Sequence, residues 1–518
     1  MAQSDASAIA EFYKDRSVFI TGATGFMGKV LVEKLLRCCP NVKTVYLLLR
    51  SKEGQDPRQR LDELLNVKIF DKIKKEQPHV LTKLVPVHGD LTSAELGISQ
   101  SDITLLTNTV SIVFHSAATV KFDEPLRLSV ELNVLGTRRL VNLCHKMVHL
   151  EALVHVSTAY CNCDREDIEE IIYPAPVTPQ KIIDATEWMN AELMTALTPH
   201  LIKGRPNTYT FTKALAENLL VEECGNLPVA IVRPSIVTAA WREPIPGWVD
   251  NLNGPTGLLV ASTKGMLQTL HCRCNGVADL IPVDVVINLM ITVAWSTAVH
   301  RTNNNLIYHC TSGTTNQITW GKLDRIALPY IIQNPSAEVF QYPGATFKNS
   351  RLLNNICVFF YHHVPAYLTD IVALLIGRKP KMVKLYQKLH RAIQSLNYFT
   401  THEWKFHCNN QFKLMERMSE KDRQIFNFDI KQLNWSSYWQ DYVLGARQFI
   451  LKEETSSLPI ARKKLRKAYL FSQLINLLFI VIAWRLLMIK SQIARSLWYY
   501  CLSLVVRLYR ILPLVSTL

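Results

Sequence analysis

The 518-residue sequence contains 12 cysteines but no C-x-x-C pair and no repeated cysteine–histidine spacing. Structural zinc sites are built from such spacings, so no bound metal is expected. The cysteines are scattered along the chain, which is typical of reduced thiols in a cytosolic environment. The group closest to a metal cluster, at His271, Cys272 and Cys274, is interpreted as a surface loop.

The sequence also lacks an internal repeat, a low-complexity tract and a recognisable nucleic-acid-binding module. Its first residues have neither the basic nor the apolar stretch of a secretory signal, so none is expected. Acidic residues are few, 43 against 58 basic ones, which gives a net charge of +15. Such an excess indicates partners of opposite charge. We assign it to polyanionic small molecules and to a membrane surface rather than to nucleic acid.

A glycine-rich turn stands near the start of the chain, in RSVFITGATGFMGKVLVEKLL. The pattern predicts a buried strand, a tight turn and a helix whose apolar positions recur at helical spacing. Glycines in such a turn permit positive φ and a close approach to a pyrophosphate, which the helix N-terminus then binds. The position after a strand predicts dinucleotide binding by Thr21, Gly22, Thr24, Gly25, Phe26 and Gly28.

The second predicted strand, TVYLLLR, ends at Arg50. An acidic residue at this place would bind the free 2′-hydroxyl of NAD, whereas an arginine accommodates the 2′-phosphate of NADP. Arg50 therefore favours NADPH as the cofactor. The alternative is a solvated surface arginine.

Two further strands end in residues suited to the same cofactor. Asp90 and Leu91 follow KLVPVH, and the Asp90 carboxylate could accept a hydrogen bond from the adenine amino group. Ala117 and Ala118 follow SIVFHS and are small enough for nicotinamide to pass close by. Asn133, on the next helix, could order that strand end. These residues follow successive strands at their carboxyl ends, where the cofactor crevice of an open parallel sheet lies.

Tyr209 and Lys213 stand four residues apart in the helical segment TYTFTKALAENLLVEE, so they project from one face. A nearby ammonium is expected to lower the pKa of the Tyr209 phenol. Tyr209 would protonate a substrate oxygen as nicotinamide delivers hydride, and Lys213 would also hold the nicotinamide ribose. Ser157 or Thr158, in VHVSTAY, could polarise the same carbonyl. Which hydroxyl does so stays open.

These motifs resemble those of the extended short-chain dehydrogenases/reductases over about the first 240 residues. Nearly the whole chain resembles the alcohol-forming fatty acyl-CoA reductases, through TGATGFMGKVLVEKLLR, HSAATVKFDEPL, LNVLGT, VHVSTAY, YTFTKALAE, IVRPSIV and PGWVDNLNGPTG. The resemblance continues through His362–Pro380 and Phe426–Phe449, and it adds Pro234 and Ile236 to the cofactor-binding residues. Thr238 departs from it, because a small residue such as glycine is expected there.

The resemblance implies NADPH-dependent reduction of a long-chain fatty acyl-CoA to a primary fatty alcohol. One hydride gives a hemithioacetal that expels CoA, and a second reduces the aldehyde, so no acyl-enzyme and no cysteine nucleophile are required. The product would supply ether-lipid or wax-ester synthesis. Two other readings of the residues are a membrane-bound NADP-dependent sterol dehydrogenase/isomerase and a non-catalytic, membrane-tethered nucleotide sensor.

An uncharged apolar run, Ala468 to Trp484, follows the basic cluster Arg462 to Lys467. It is at the short end for a membrane span and reaches Ile489 if Arg485 snorkels. A single span is favoured over a monotopic helix or a hairpin with SLWYYCLSLVV. The basic cluster places the catalytic part in the cytosol. The resemblance implies the peroxisomal membrane, although Ser516-Thr517-Leu518 is not the S-K-L address.

The length allows two or three domains, and 48% hydrophobic residues suffice for a sizeable core. The fold class is α/β, a Rossmann-type doubly wound parallel sheet, followed by a mostly helical domain and a membrane anchor. Trp241 and Trp248 could cap an acyl channel or belong to a packed loop, and Trp435, Tyr438 and Trp439 are expected in the core. The predicted divisions are 1–270 (NADP-binding), 271–350 (substrate side), 351–450 (helical domain), 451–467 (basic linker), 468–489 (transmembrane anchor) and 490–518 (tail). The oligomeric state stays open.

Overall fold

The computed structural model describes residues 7–51, 54–300, 306–344 and 346–511. The C-terminal Ser516-Thr517-Leu518 lies outside the described residues. The strands are short apolar runs, in chain order β1 (Ser17–Thr21), β2 (Thr44–Leu49), β3 (Leu84–His88), β4 (Val110–His115), β5 (Ala152–Val156), β6 (Asp167–Ile168), β7 (Val229–Pro234), β8 (Ile236–Thr238), β9 (Thr269–His271), β10 (Leu280–Pro282), β11 (Leu306–Cys310), β12 (Thr346–Lys348) and β13 (Lys405–Phe406).

The helices before residue 300 flank the sheet or close its edges. They are α1 (Ala8–Phe12), α2 (Phe26–Cys38), α3 (Pro57–Leu65), α4 (Asp71–Glu76), α5 (Gln100–Thr109), α6 (Leu126–Val130), α7 (Gly136–His145), α8 (Pro179–Trp188), α9 (Ala191–Leu201), α10 (Thr208–Glu223), α11 (Pro255–Thr263) and α12 (Val283–Val299).

The later helices form the carboxy-terminal part of the chain. They are α13 (Trp320–Gln333), α14 (Arg351–Val358), α15 (Val364–Leu375), α16 (Met382–Thr401), α17 (Asn409–Glu416), α18 (Glu420–Ile425), α19 (Trp435–Gly445), α20 (Leu458–Lys490) and α21 (Gln492–Ile511). A π-helical turn, Phe359–His363, joins α14 to α15.

Seven strands form one sheet in the order β11-β7-β5-β4-β1-β2-β3. Every neighbouring pair in it is parallel. Strands β1, β4, β5 and β7 are buried throughout, as expected for a parallel sheet covered by helices on both faces. The strand order reverses direction between β1 and β4, and ligands bind at the carboxyl ends beside such a point. The predicted doubly wound fold is confirmed.

The carboxy-terminal helices pack directly onto this α/β unit. Strand β13 pairs with β6, β12 pairs with β9, and β8 pairs with β10. The Lys34 ammonium on α2 donates a 2.6 Å hydrogen bond to the Ile425 carbonyl at the end of α18. Trp435, Tyr438 and Trp439 are buried on α19, which confirms that they belong to the core. The predicted division at residue 350 stays a prediction.

Two helical segments of the described chain are long and apolar enough to cross a membrane, Arg351–Leu375 and Thr455–Lys490. The second contains the predicted anchor, but α20 begins at Leu458, so the basic residues expected in a linker are helical. The first was not predicted as a membrane-contacting segment. Helix α21 folds back at Ser491, which places the Trp498 ring 4.5 Å from the Trp484 ring.

Candidate active site

The glycine-rich turn packs tightly against the end of β4. Gly22 has φ of +78°, and a Cβ there would lie 2.7 Å from the Ala117 nitrogen. A Cβ on Gly28 would lie 2.1 Å from the Gly22 carbonyl oxygen, so α2 could not approach the turn. Gly25 is the N-cap of α2 and supplies no side-chain hydrogen bond to the helix start. The first N–H groups of α2 are thus left without a side-chain cap, as an anion-binding helix start requires.

A cavity of about 530 Å³ opens beside this turn at the carboxyl ends of the sheet strands. The ends of β4, β5 and β7, the face of α10 and the loop before α11 contribute to it. It is lined by twelve of the predicted site residues: Gly22, Thr24, Gly25, Phe26, Gly28, Ala118, Ser157, Thr158, Tyr209, Lys213, Pro234 and Ile236.

The other predicted residues surround the cavity without lining it. The Thr21 hydroxyl lies 2.7 Å from His115 Nδ1 and accepts a hydrogen bond from the Ala117 nitrogen. One Asp90 carboxylate oxygen accepts hydrogen bonds from the backbone and hydroxyl of Thr92, both at 2.9 Å. Leu91 is buried in the core. These contacts give Thr21, Ala117, Asp90 and Leu91 roles in shaping the turn and the strand ends.

Asn133 connects the end of β4 to α10. Its amide oxygen accepts a 2.9 Å hydrogen bond from the Thr119 nitrogen, and its NH₂ group donates to the Thr212 hydroxyl at 3.0 Å. Asn133 is 1% exposed, and Thr212 precedes Lys213 in the chain. Asn133 therefore orders the strand end, as its position suggested, and also fixes the helix that carries Lys213.

Arg50 follows β2 and is exposed. Its carbonyl oxygen accepts a 2.7 Å hydrogen bond from Arg60 on α3, and the other terminal nitrogen of Arg60 lies 3.4 Å from the Thr24 hydroxyl. The Arg60 guanidinium thus links the end of β2 to the glycine-rich turn. The sequence reading missed Arg60, although Asp56-Pro57 has the form of a helix start and places Arg60 in its first turn.

Helix α10 presents Tyr209 and Lys213 to the cavity. Its N-cap is Asn207, whose side chain accepts a hydrogen bond from the Thr210 nitrogen. The Lys213 ammonium is buried and donates a 2.7 Å hydrogen bond to the Val156 carbonyl at the end of β5. Burial lowers the pKa of Lys213 to about 8, although the Glu217 carboxylate opposes this shift.

The predicted lowering of the Tyr209 pKa is wrong. Burial raises the pKa of Tyr209 above its ordinary value, and the hydrogen bond with Thr158 offsets only part of the rise. The nearby Cys161 thiol also raises the pKa of Tyr209. The phenol is therefore protonated at neutral pH in this structure.

Ser157 and Thr158 differ in their surroundings. Thr158 contacts the Tyr209 hydroxyl, and its own oxygen also accepts a 3.3 Å hydrogen bond from the Tyr160 nitrogen. The Ser157 hydroxyl is buried and has no hydrogen-bond partner among the described residues that meets normal geometry. Both line the cavity, but Thr158 is the one beside the phenol.

A buried ion pair joins α10 to the sheet strand β7, and the sequence analysis did not predict it. Glu217 lies one helical turn after Lys213, and its two carboxylate oxygens accept hydrogen bonds from Arg233 Nε at 2.8 Å and Nη2 at 2.6 Å. The two side chains are 2% and 0% exposed. Arg233 also donates to the Ile171 carbonyl at 2.8 Å. The spacing Tyr209, Lys213, Glu217 is a sequence signal for a shared helix face.

The outer part of the cavity is apolar and comes from distant parts of the chain. Phe122, Leu258, Trp320, Leu396 and Phe399 line it. A second, mostly apolar cavity shares Leu258 and Trp320 with the first. No local pattern connects these residues, so the sequence did not indicate them.

For Trp241 and Trp248, the structure favours the packed loop over the cap of an acyl channel. Trp248 is 1% exposed and stacks on Phe26 at 5.4 Å, while Trp241 is largely buried. Thr238 does not narrow the cavity. Its hydroxyl accepts a 2.7 Å hydrogen bond from the Tyr438 hydroxyl, which ties β8 to α19.

Comparison with known families matches two parts of the chain. Residues 20–290 match a family model for an NAD-binding domain described as "Male sterility protein". Residues 361–453 match a second model with the same description. The first match contains the cavity's turn, strand ends and α10.

Curated proteins resemble the chain over nearly its full length. It is 46% identical to "Fatty acyl-CoA reductase 1" of Xenopus laevis over 96% of each chain. It is 44% identical to the Homo sapiens protein of that name and 46% identical to "Fatty acyl-CoA reductase 2" of Mus musculus, again over 96% of each chain.

Solved structures share the fold at low identity. The reductase domain of a nonribosomal peptide synthetase from Mycobacterium tuberculosis aligns with a TM-score of 0.54 at 18% identity, over 84% of this chain and 92% of that one. The terminal reductase domain of the myxalamid pathway aligns with a TM-score of 0.53 at 18% identity, over 84% and 91%.

Proposed function

The chain belongs to the fatty acyl-CoA reductase family, and from that premise we propose that it reduces a long-chain fatty acyl-CoA to the primary fatty alcohol and releases CoA. The observation that carries the proposal is the position of Tyr209, Lys213 and Thr158 in one cavity with the glycine-rich turn. A proton donor thus lies beside a dinucleotide cradle. The family also favours this reaction over the sterol dehydrogenase alternative.

The cradle fits a nicotinamide dinucleotide. Side chains at Gly22 and Gly28 would block the turn, and α2 begins without a side-chain cap. When bound, NADPH supplies a hydride to the carbonyl carbon in each of the two reductions. Gly22, Thr24, Gly25, Phe26 and Gly28 would hold the pyrophosphate. Ala118, Pro234 and Ile236 would border the nicotinamide, and Lys213 would hold its ribose.

Tyr209 and Thr158 act on the substrate oxygen. Thr158 donates a hydrogen bond that polarises the carbonyl, and Tyr209 gives its proton to the oxygen as the carbon is reduced. A raised pKa keeps Tyr209 protonated and ready to donate. Lys213, whose pKa is about 8, can then return a proton to the phenolate.

The same residues serve both reductions. The first reduction of the thioester gives a hemithioacetal, whose C–S bond breaks to release CoA and leave an aldehyde. In the second, Tyr209 again protonates the oxygen as it becomes the alcohol. The sum is one acyl-CoA, two NADPH and two protons giving one alcohol, one CoA and two NADP⁺. No covalent acyl-enzyme is needed.

The preference for NADPH rests on Arg50 and Arg60. Arg50 follows the second strand, and the Arg60 guanidinium donates hydrogen bonds to the Arg50 carbonyl and to the Thr24 hydroxyl of the turn. A 2′-phosphate there would be bound by charge-assisted hydrogen bonds. Asp90 would remain the partner of the adenine amino group, through the carboxylate oxygen that Thr92 does not bond.

Replacing Arg60 tests this preference. Arg60→Ala should raise the KM for NADPH by about tenfold or more, since a hydrogen bond to a charged group is worth about 1.5–3 kcal/mol. The KM for NADH should stay nearly unchanged. Arg58→Ala is the matched control, because Arg58 is exposed on the same helix. Equal changes for both cofactors would contradict the assignment.

The acyl chain would occupy the apolar part of the cavity. Leu258, Leu396 and Phe399 line this part, and the cavity volume of about 530 Å³ leaves room for an alkyl chain that starts at Tyr209. Most of the side chains that line this part of the cavity are apolar. Products of this kind would supply ether-lipid or wax-ester synthesis.

For the location, we propose that α20 anchors the protein in the peroxisomal membrane with the catalytic part in the cytosol. The described side chains of α20 beyond Lys467 are largely exposed and apolar, and its first turns carry the basic cluster. Between Arg495 and Arg507, α21 has an uncharged stretch far shorter than the about 20 residues of a spanning helix. This supports a single span. A tag fused after Leu518 reports the topology in intact organelles: a single span should protect it from added protease, whereas a hairpin would leave it accessible.

Product analysis tests the reaction itself. Detergent-solubilised protein with palmitoyl-CoA should consume two NADPH per CoA released, with hexadecanol identified by mass spectrometry. Tyr209→Phe should lose turnover while NADPH binding persists. Tyr330→Phe, on the surface helix α13, is the control. One NADPH per CoA would mean that the enzyme stops at the aldehyde, and no oxidation with any acyl-CoA would refute the proposal.

A further inference from the structure

The segment Arg351–Leu375 shows its polar side to the protein and its apolar side to the surroundings. A surface helix of a soluble protein normally does the opposite. On the inner side, Asn354 accepts a 2.8 Å hydrogen bond from the Thr269 hydroxyl. His362 Nε2 accepts a 3.0 Å hydrogen bond from the Gln268 nitrogen. These buried polar groups fix which side of the segment faces the protein.

Asp370 completes the inner side. Its carboxylate accepts hydrogen bonds from the backbone nitrogens of Lys381, Met382 and Val383 at the start of α16, each at 2.9 Å. Ala366, one turn earlier, is 1% exposed. The side chains at 362, 366 and 370 therefore form one line along the helix, in contact with the rest of the protein.

The outer side forms an apolar ridge, which we define by Phe359, Tyr367, Leu368, Ile371, Val372 and Leu375. Leu368, Val372 and Leu375 lie opposite Ala366 on the helix and are 58%, 55% and 81% exposed. Contiguous apolar surface of this extent is rare on a soluble monomer and marks an interaction site.

A group of exposed basic residues follows the ridge in the chain. Arg378, Lys379, Lys381, Lys384, Lys388 and Arg391 follow it in the chain and are all exposed. Asp370 is the only acidic residue between Arg351 and Thr401, and it is turned inward. An apolar face with basic flanks fits a membrane surface that contains anionic lipids. Two copies of the chain joined through the ridge would instead bring like charges together.

One loop, residues 337–342, contacts both the ridge segment and the first part of α20. Gln341 donates a 3.3 Å hydrogen bond to the Tyr361 carbonyl beside the ridge. The next residue, Tyr342, packs its ring 5.0 Å from the ring of Tyr469 on α20. Lys464 of α20 also donates to the Ala337 carbonyl at 2.9 Å. The ridge and the anchor helix are thus held together by residues 337–342.

We propose that the apolar ridge is a second membrane-docking surface, which rests on the anionic cytosolic face of the bilayer that α20 enters. It lies in the interface and does not cross the membrane, since Asp370 and His362 on its inner side are already bonded to the protein. The proposal rests on the membrane location proposed above.

Helix α16 would connect the docked ridge to the apolar cavity. Helix α16 packs against α15, and its later residues Leu396, Phe399 and Thr400 line the cavity. An acyl-CoA held in the leaflet could then pass its chain to the site without exposing it to water.

Photo-crosslinking of the full chain in phosphatidylserine-containing liposomes tests this surface. Benzoylphenylalanine in place of Val372 should yield a phospholipid adduct by mass spectrometry. The same group at Ile480, on α20, is the positive control, and at Val148, 70% exposed on the α/β unit, the negative one. Lipid adducts at Ile480 without any at Val372 would refute docking while the anchor stands. No lipid adduct at either position would refute both, and a chain-to-chain adduct at Val372 would replace the lipid by a second copy.

The basic residues give an independent measurement. Lys384→Glu with Lys388→Glu should reduce the lipid adduct at Val372 by about tenfold or more, because each basic residue near an anionic surface contributes about 1 kcal/mol. The matched control is Lys72→Glu with Lys75→Glu, two exposed lysines of α4. Activity in detergent should not change in either pair, so a loss there would indicate misfolding. Equal lipid adducts in both pairs would refute the electrostatic part of the docking.

Discussion

Removing the Glu217 carboxylate should test how strongly the fold supports its active-site helix. In Glu217→Ala, Arg233 keeps its charge at 0% exposure and loses both carboxylate hydrogen bonds. Breaking a buried ion pair in this way costs about 3–5 kcal/mol. Glu217 belongs to α10, so the destabilisation acts on the helix that carries Tyr209 and Lys213. We therefore expect a marked decrease in melting temperature together with a decrease in turnover.

The double variant separates the pair from its surroundings. Glu217→Leu with Arg233→Met removes both charges, and replacing a buried pair by apolar residues is often close to neutral. Here the Ile171 and Glu169 carbonyls and His309 Nε2 also lose the Arg233 donor, at about 1–3 kcal/mol for each acceptor left unbonded. The double variant should therefore be destabilised by less than the sum of the two single variants, because it leaves no uncompensated charge.

Differential scanning fluorimetry of the detergent-solubilised protein measures both variants, with Glu222→Ala, an exposed residue of the same helix, as the control. A melting temperature of Glu217→Ala equal to that of the wild type would refute the reasoning. So would a double variant as destabilised as the sum of the two single ones, since the cost would then not come from an uncompensated charge.

Three further predictions concern the site and the core. Thr158→Val should lower kcat by about 100-fold or more, the usual effect of losing a donor to a developing oxyanion, whereas Ser157→Ala should cost much less; the opposite ranking would assign the role to Ser157. Gly28→Ala should abolish NADPH binding measured by fluorescence, because its Cβ would lie 2.1 Å from the Gly22 carbonyl oxygen, and retained affinity would contradict the tight turn. Burial lowers the pKa of His115 and of His309 to about 3. The stability that this contributes should be fully present above pH 6.5, the pKa of an unfolded-state histidine, and below that pH the free energy of unfolding should decrease by up to about 1.4 kcal/mol per pH unit for each residue. A melting temperature unchanged between pH 6.5 and pH 5 would argue against both shifts.

The central sheet and the cofactor cradle were predictable because their signals are local. The strand, turn and helix around Gly22 follow one another within a short segment, and each glycine has a steric reason. Tyr209 and Lys213 share a face because of helical periodicity alone. Neither prediction needed any knowledge of distant contacts.

The rest of the site depends on contacts that no local pattern records. Leu396 and Phe399 reach the cavity from far along the chain, and Arg60 is recognisable only once α3 is placed beside the turn. The error on the Tyr209 pKa has the same origin. Helical spacing places Lys213 on the same face as Tyr209, but burial of the phenol decides the direction of its pKa shift.

The segment Arg351–Leu375 shows a related limit. The resemblance to the family indicated a helical domain here, and Asn354, His362 and Asp370 interrupt the apolar run in the sequence. The structure shows that these polar residues all lie on one side. The exposed apolar side is therefore recognisable only from the three-dimensional structure.

Isotope transfer tests the central claim most directly. The protein is given palmitoyl-CoA and NADPH that carries deuterium as its transferable hydrogen, and the alcohol is analysed by mass spectrometry. Two successive reductions at the Tyr209 site predict hexadecanol with two deuterium atoms on C1, and none from Tyr209→Phe. Hexadecanol with one deuterium or none on C1, or labelled product from the Tyr209 variant at the wild-type rate, would contradict the account.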